Sequence, residues 1–334
     1  MQIDNKKTIS QELLNKCRKL INKKFDKNKI EKIESEDNFI KSLIEGENFN
    51  IFYDMLKEEY SKKLFEKIVR YRYMLAFYPN VHQNFKRELF FSIKYGTIST
   101  IFWIRKMIFF LITKRIFLPK EVGAFALFHI ISLKQYDVKN IFEVKEDATI
   151  FDIGAWKGDT AYFFSKKCSN KARIYAFEPD DYAFQILEKI KEKYKLNNVI
   201  TKNILLSNAE KEIDFISMIE NTPTIKKNAI TIDKFVEENN IEKIDYIKMD
   251  VEGAERNILE GSIKTIKKFK PSLAIAIYHG GKLFMEDFYN IPIFIKNVIN
   301  EDYEYYIRTF SPWGGETILF CKPKKYKATS LITR

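Results

Sequence analysis

Residues able to do chemistry gather in a few short stretches. Asp152-Ile-Gly154-Ala155-Trp156-Lys-Gly158-Asp159-Thr160 sets an acid just before two glycines four positions apart. Such glycines permit a tight turn and let a ligand approach the backbone with no Cβ in the way. Twenty residues beyond Gly158 stands Glu178, followed by Pro179. An acid at that distance suits a bidentate grip on the two hydroxyls of a ribose. Farther on come Lys248-Met-Asp250-Val-Glu252-Gly-Ala-Glu255 and Tyr278-His279. Carboxylates beside an imidazole can take a proton from a hydroxyl or hold a divalent cation. Asp250, His279 and Glu252 are therefore the candidate catalytic residues and equally the candidate metal ligands. Each has a plainer role open to it. Asp250 could N-cap a helix over 252–260, with Glu252 favouring the same dipole, and His279 could be a hydrogen-bonded loop residue. Glu255 reads as a structural helix residue, and Lys248 as a stem packed beneath the site. His82 and His129 fall in helical stretches and read as packing or surface residues.

The glycine spacing bears on the ligand. A dinucleotide turn wants Gly-x-Gly-x-x-Gly, whose second glycine admits a pyrophosphate. Trp156 occupies that position here. Asp-x-Gly-x-x-x-Gly is instead the pattern of methyltransferases that use S-adenosylmethionine, a ligand with an ammonium, a carboxylate and a sulfonium but no phosphate. Asp152 would attract the ammonium, directly or through water, and Glu178 would hold the ribose. The expected cofactor-binding set is Asp152, Gly154, Ala155, Trp156, Gly158, Asp159, Thr160, Glu178, Pro179, Asn203 and Asp250.

These residues need a sheet to present them. Ala148 to Ile153 is a short apolar run suited to a buried parallel strand, and the pattern turns helical from Asp159. Strand 173–178, helix 181–194, a strand over 198–205 and a short strand over 213–217 follow. Residues 218–228 read as a mobile loop. Thr231 is placed to cap a helix to Glu238, and strand 246–249 leads to Asp250 and the helix over 252–260. Strand 272–278 precedes a helix opened by Pro292 and running to about Val298. Residues 303–309 and 317–321 form a final hairpin. The alternation predicts an α/β fold: a Rossmann-like class I methyltransferase sheet of seven strands, the last antiparallel, with an α-helical N-terminal domain.

That N-terminal part is assigned to residues 1–115, and the catalytic domain to 116–334. Ile9, Leu13, Cys17, Leu20 and Ile21 make one apolar stripe, and Phe52, Leu56, Tyr60, Leu64 and Ile68 another. Ile98 to Ile112 is apolar nearly all round but shorter than the roughly 20 residues of a membrane span. It reads as a buried helix at the seam between the halves, with an interfacial helix on a membrane as the alternative. Cys17, Cys168 and Cys321 match no metal spacing and read as reduced thiols of a cytoplasmic protein, and no apolar leader follows Met1. The net charge of +12 invites a nucleic-acid partner, but the lysines are spread over the chain rather than gathered. An anionic acceptor such as a nucleotide-linked sugar or polysaccharide stays compatible with it.

Longer stretches resemble a known family, the FkbM-type methyltransferases. They are Phe-Asp-Ile-Gly-Ala-Trp-Lys-Gly-Asp-Thr (151–160), Ala-Phe-Glu-Pro-Asp (176–180), Thr-Ile-Asp-Lys-Phe (231–235) and Asp-Tyr-Ile-Lys-Met-Asp-Val-Glu-Gly-Ala-Glu (245–255). Tyr278-His279, Asp287, Ile291-Pro292 and Glu316-Thr317 are similar to the tail of one branch. The resemblance covers about residues 140–323. It implies O-methylation, commonly of sugars or sugar-bearing products, and leaves the acceptor open. The rival expectations are an RNA methyltransferase and a non-catalytic cofactor-binding subunit of a glycan-assembly complex.

Overall fold

The structure, a computed structural model, describes residues 8–24, 46–77, 104–111, 120–217, 223–280, 286–299, 303–311 and 315–324. The main sheet is built from β1 (Thr149–Ile153), β2 (Arg173–Phe177), β3 (Val199–Lys202), β7 (Tyr246–Met249), β8 (Ser272–Ala276), β9 (Tyr303–Thr309) and β10 (Thr317–Pro323). Its order is β3-β2-β1-β7-β8-β10-β9. Only β10 runs against its neighbours, pairing antiparallel with both β8 and β9. This is the Rossmann-like class I arrangement expected from the sequence, with seven strands and the last antiparallel. All five residues of β1 and all four of β7 are buried, as suits mostly apolar central strands, with Asp152 and Lys248 the charged exceptions. The order reverses between β1 and β7, so a crevice opens at their carboxyl ends, where such sheets bind ligands.

Several elements depart from the expectation. The third strand ends at Lys202, and Leu205–Leu206 (β4) leaves for a second, three-stranded sheet. That sheet takes in Ile225–Ile230 (β6), part of the stretch expected to be a loop, paired antiparallel with Lys211–Phe215 (β5). Half of β6 is exposed, and its centre, Lys226 to Asn228, is polar, so alternation could not reveal it; cross-strand pairing such as Lys226 to Glu212 at 2.7 Å suits its exposed position. Residues 218–222 of that stretch lie outside the described residues. Pro292 does not open its helix but sits inside Glu286–Phe294, which a π-helical turn, Ile295–Ile299, continues. A proline lacks the N–H of the helical ladder, and a wider turn just beyond it accommodates the gap.

In the N-terminal part, α1 (Ile9–Lys24), α2 (Glu47–Met55) and α3 (Glu59–Phe77) pack into the same apolar cluster as the sheet. The expected single stripe from Phe52 to Ile68 is two helices, and Tyr60 is exposed. At the break between them Leu56 bridges to Tyr305, and Lys57 N donates to the Tyr305 carbonyl. The helices thus cover the open edge of β9.

Helix α4 (residues 104–111) also differs from expectation. Ile104, Met107, Ile108 and Leu111 are exposed, while Phe109 is buried against Phe128. It is not a buried seam helix over these residues, because an all-round apolar composition does not say which face finds a partner. The rest of 98–112, His82 and the side chain of Ile21 lie outside the described residues. No described helix is long and apolar enough to cross a membrane.

Candidate active site

The site forms where the loops after β1, β2 and β7 meet. Gly154 has φ 77, and a Cβ there would stand 1.9 Å from the Asp250 carbonyl oxygen. Two strand ends therefore close on each other only because this residue has no side chain. Gly158 has φ 91 and sits against Leu187. Between them Trp156 also adopts a left-handed φ of 46, uncommon for so bulky a residue. Its backbone N–H is held by Glu178 Oε2 at 2.8 Å.

Glu178, 5% exposed, ends β2. Its other oxygen, Oε1, accepts from Asp180 N at 2.8 Å. Each oxygen keeps a lone pair for a further donor, which is what a ribose diol supplies. Burial pushes its carboxyl up to about 7, against the pull of those two N–H donors. Asp180 caps the helix Asp181–Lys193 by accepting from Ala183 N.

Asp152 takes a different place. It is wholly buried, accepts the Thr160 hydroxyl at 2.6 Å, and stands 3.3 Å from Lys248 Nζ. Lys248 in turn donates to the Gly154 carbonyl at 2.6 Å. Burial alone would lower the pKa of Lys248, but Asp152, Asp250 and Asp159 outweigh it and raise it. The pair is a buried tie that fixes the glycine turn. The cavity wall itself carries Asp159, whose carboxyl burial pushes up to about 6.

Across the crevice, Asp250 follows β7. The helix expected over 252–260 begins only at Glu255, and Ala254 is its cap residue, so Asp250 caps nothing. Glu255 turns back instead: Oε1 accepts Val251 N and Oε2 accepts Gly253 N. Its Oε1 also lies 2.8 Å from His279 Nδ1. Tyr136 Oη donates to Asp250 Oδ2 at 2.9 Å. Tyr278 Oη lies 3.2 Å from Asp250 Oδ1 and 3.3 Å from Glu316 Oε2, so one proton serves two acids. Burial and the Asp250 charge push the Glu316 carboxyl up to about 7. Burial would lower the pKa of His279, but Glu255, Asp250 and Glu252 outweigh it and push it up to about 9. Asp250, Glu255 and His279 each place a ligand-type atom within 4.8 Å of the others.

A cavity of about 400 Å³, enough for a nucleoside-sized ligand, joins the glycine turn and Glu178 to Asp250 and Glu252, while His279 stands behind those two acids outside its lining. Of the expected cofactor set, Gly154, Trp156, Asp159, Thr160, Glu178, Pro179 and Asp250 line it. Asp152 and Ala155 are buried outside that lining, Gly158 shapes the turn, and Asn203 donates to the Glu178 carbonyl. The lining also includes Gln135, Tyr136, His129, Phe125, Phe215 and Glu316, which sequence reasoning did not assign to the site. His129 is 3% exposed, with Nδ1 on the Phe125 carbonyl. These side chains come from segments distant in sequence, and only the pairing Glu316-Thr317 at a strand start hinted at any of them. The residues present fit S-adenosylmethionine: Glu178 offers a carboxylate for a ribose diol, and the cavity is of nucleoside size.

Known proteins share parts of this sequence and fold. The methyltransferase FkbM domain matches residues 152–305. The hexuronic acid methyltransferase AglP of Haloferax volcanii is 29% identical over 150 residues, which are 42% of this chain and 59% of that protein. The crystal structure of methyltransferase FkbM from Methylobacillus flagellatus KT superposes with a TM-score of 0.58 at 16% identity, over 84% of this chain and 60% of that one. The chain thus spans about three fifths of each relative's length. Residues 152–305, which hold the glycine turn, Glu178, Asp250 and His279, match the FkbM-type methyltransferase domain.

Proposed function

We propose that this protein is an S-adenosylmethionine-dependent O-methyltransferase acting on a hydroxyl of a sugar or glycan-type acceptor. The observation that carries the reading is the pairing of a diol-competent Glu178 with an acid cluster two strands away, across one cavity. Adjacent strands lie about 4.8 Å apart, so the two ends are separated by roughly 10 Å. S-adenosylmethionine, when bound, supplies a methyl group on a sulfonium, so an alcohol oxygen forms its C–O bond as the S–C bond breaks. Glu178 and the Gly154–Gly158 turn hold and aim the donor side. Asp250, kept in place by Tyr136 and Tyr278, takes the hydroxyl proton. His279, oriented by Glu255, faces Asp250 and Glu252. Phe125 and Phe215 offer apolar faces for the C–H side of a sugar ring. The name of the Haloferax volcanii relative supports the sugar class.

Calorimetry with S-adenosylhomocysteine tests the donor half, and methyl transfer to a panel of sugars and nucleotide sugars tests the acceptor half. Asp250→Asn should keep donor affinity within about tenfold while turnover falls 10²–10⁴-fold, the range for lost acid–base catalysis. No donor binding would sink the reading, and full turnover in Asp250→Asn would remove Asp250 from its role.

A further inference from the structure

We infer that a divalent-cation site borders the acceptor end of this cavity, with Asp250, Glu252 and His279 Nε2 as its protein ligands and Glu255 behind them as the carboxylate that orients the imidazole. The inference rests on the methyl-transfer reading only for the purpose of the cation, not for its binding.

His279 is 6% exposed, and its Nε2 has no hydrogen-bond partner. That nitrogen nevertheless faces Glu252 Oε2 at 3.3 Å and Asp250 Oδ1 at 3.9 Å. A cation with bonds of about 2.1 Å sets neighbouring ligand atoms about 3.0–3.4 Å apart and opposite ones about 4.2 Å apart. Both spacings fall within that span. On the other side of the ring, Nδ1 is taken by Glu255, the arrangement that fixes a metal-binding imidazole. Glu255 itself is spent: it is fully buried, and its oxygens already receive Val251 N, Gly253 N and the ring. It therefore supports the site rather than ligating.

The backbone adds an independent sign. Glu252 has φ 55 and Gly253 φ 100. A glutamate held in the left-handed region is strained, and such strain collects where a side chain must be delivered to a place. Here the turn brings Glu252 from the end of β7 to the face of His279. With its side chain 55% exposed, Glu252 leaves room for water or acceptor oxygens to complete the shell. Two carboxylates, one imidazole and open positions suit Mn²⁺ or Mg²⁺. Asp250, Glu252 and Glu255 crowd a single imidazole, and a divalent charge offsets them.

The test uses Mn²⁺ on the full chain, read by calorimetry and by its electron paramagnetic resonance spectrum, with S-adenosylhomocysteine binding followed in parallel. One Mn²⁺ per chain is expected, with affinity at least tenfold weaker in Glu252→Gln and in His279→Gln while S-adenosylhomocysteine still binds. Unchanged Mn²⁺ affinity in Glu252→Gln would overturn this ligand set. A wild-type chain that binds S-adenosylhomocysteine but no Mn²⁺ would overturn the site and leave the methyltransferase reading standing. Mn²⁺ binding without S-adenosylhomocysteine binding would do the reverse.

Discussion

Glu178 joins recognition to acidity. Its folded pKa, raised to about 7 by burial, exceeds the ordinary glutamate value. The stability this group contributes is therefore fully present below its unfolded pKa and is lost as pH rises through about 7. Donor binding should run the other way, because the ionised carboxylate accepts two ribose hydroxyls and the neutral acid accepts one well. Affinity for S-adenosylhomocysteine should rise roughly three- to tenfold between pH 6 and 8. Glu178→Gln should flatten that dependence and cost about 1.5–3 kcal/mol of binding at pH 8, the worth of hydrogen bonds to a charged acceptor. Calorimetry at both pH values reads each, and a steep profile surviving in the variant would assign the proton elsewhere. Glu178 was legible in the sequence because its offset from the glycines is a local pattern. The burial of Asp152 was not: spacing puts an acid at a strand end but cannot say that Thr160 and Lys248 will take its oxygens. Tyr136, Gln135 and Glu316 were illegible for a related reason, since the β8–β10 pairing and the segment before β1 bring them to Asp250 from far along the chain.

The glycine turn is an element whose sequence and geometry agree. Gly154→Ala would set a Cβ 1.9 Å from the Asp250 carbonyl oxygen at φ 77. That oxygen belongs to backbone, so no side chain can swing aside, and β1 and β7 must part. We expect a loss of about 3 kcal/mol or more, as for strain and overpacking combined, together with loss of donor binding. Gly158→Ala meets Leu187 Cδ1 at 2.8 Å, the far end of a flexible side chain. It should cost less, about 1–2 kcal/mol, mostly from its positive φ. Thermal unfolding of the two variants ranks them, and the reverse order would mean that β1 and β7 separate easily. The elements flanking this turn were readable because buried parallel strands are mostly apolar. The strand Ile225–Ile230 and the helix around Pro292 were not, the first being exposed and polar and the second breaking a local rule that its packing overrides.

At the scale of the whole molecule, the N-terminal helices bear on the stability of the sheet that carries the site. Phe52 and Phe65 pack at 5.5 and 5.4 Å against Phe288, the first edge-on, and Phe49 lies 5.2 Å from Tyr289. Phe288 and Tyr289 belong to the helix Glu286–Phe294, near Asp287 and His279. Ser61 Oγ accepts Ile307 N in the middle of β9, and Arg308 pairs with Glu58. The sequence marked residues 1–115 as helical and divided the chain there, but amphipathic stripes do not name the surface they cover. A chain beginning at Phe117 would bare the aromatic face of that helix together with the edge of β9. Exposed apolar surface beside an unpaired strand edge promotes self-association, so this shortened chain should aggregate or elute as oligomers. Adding S-adenosylhomocysteine should recover little of it, because ligand binding stabilises the folded state by mass action but does not cover the bared surface. Size-exclusion chromatography with light scattering reads the outcome. A soluble monomer that binds S-adenosylhomocysteine as tightly as the full chain would instead make residues 1–115 a separable module, and β9 an edge that needs no cover.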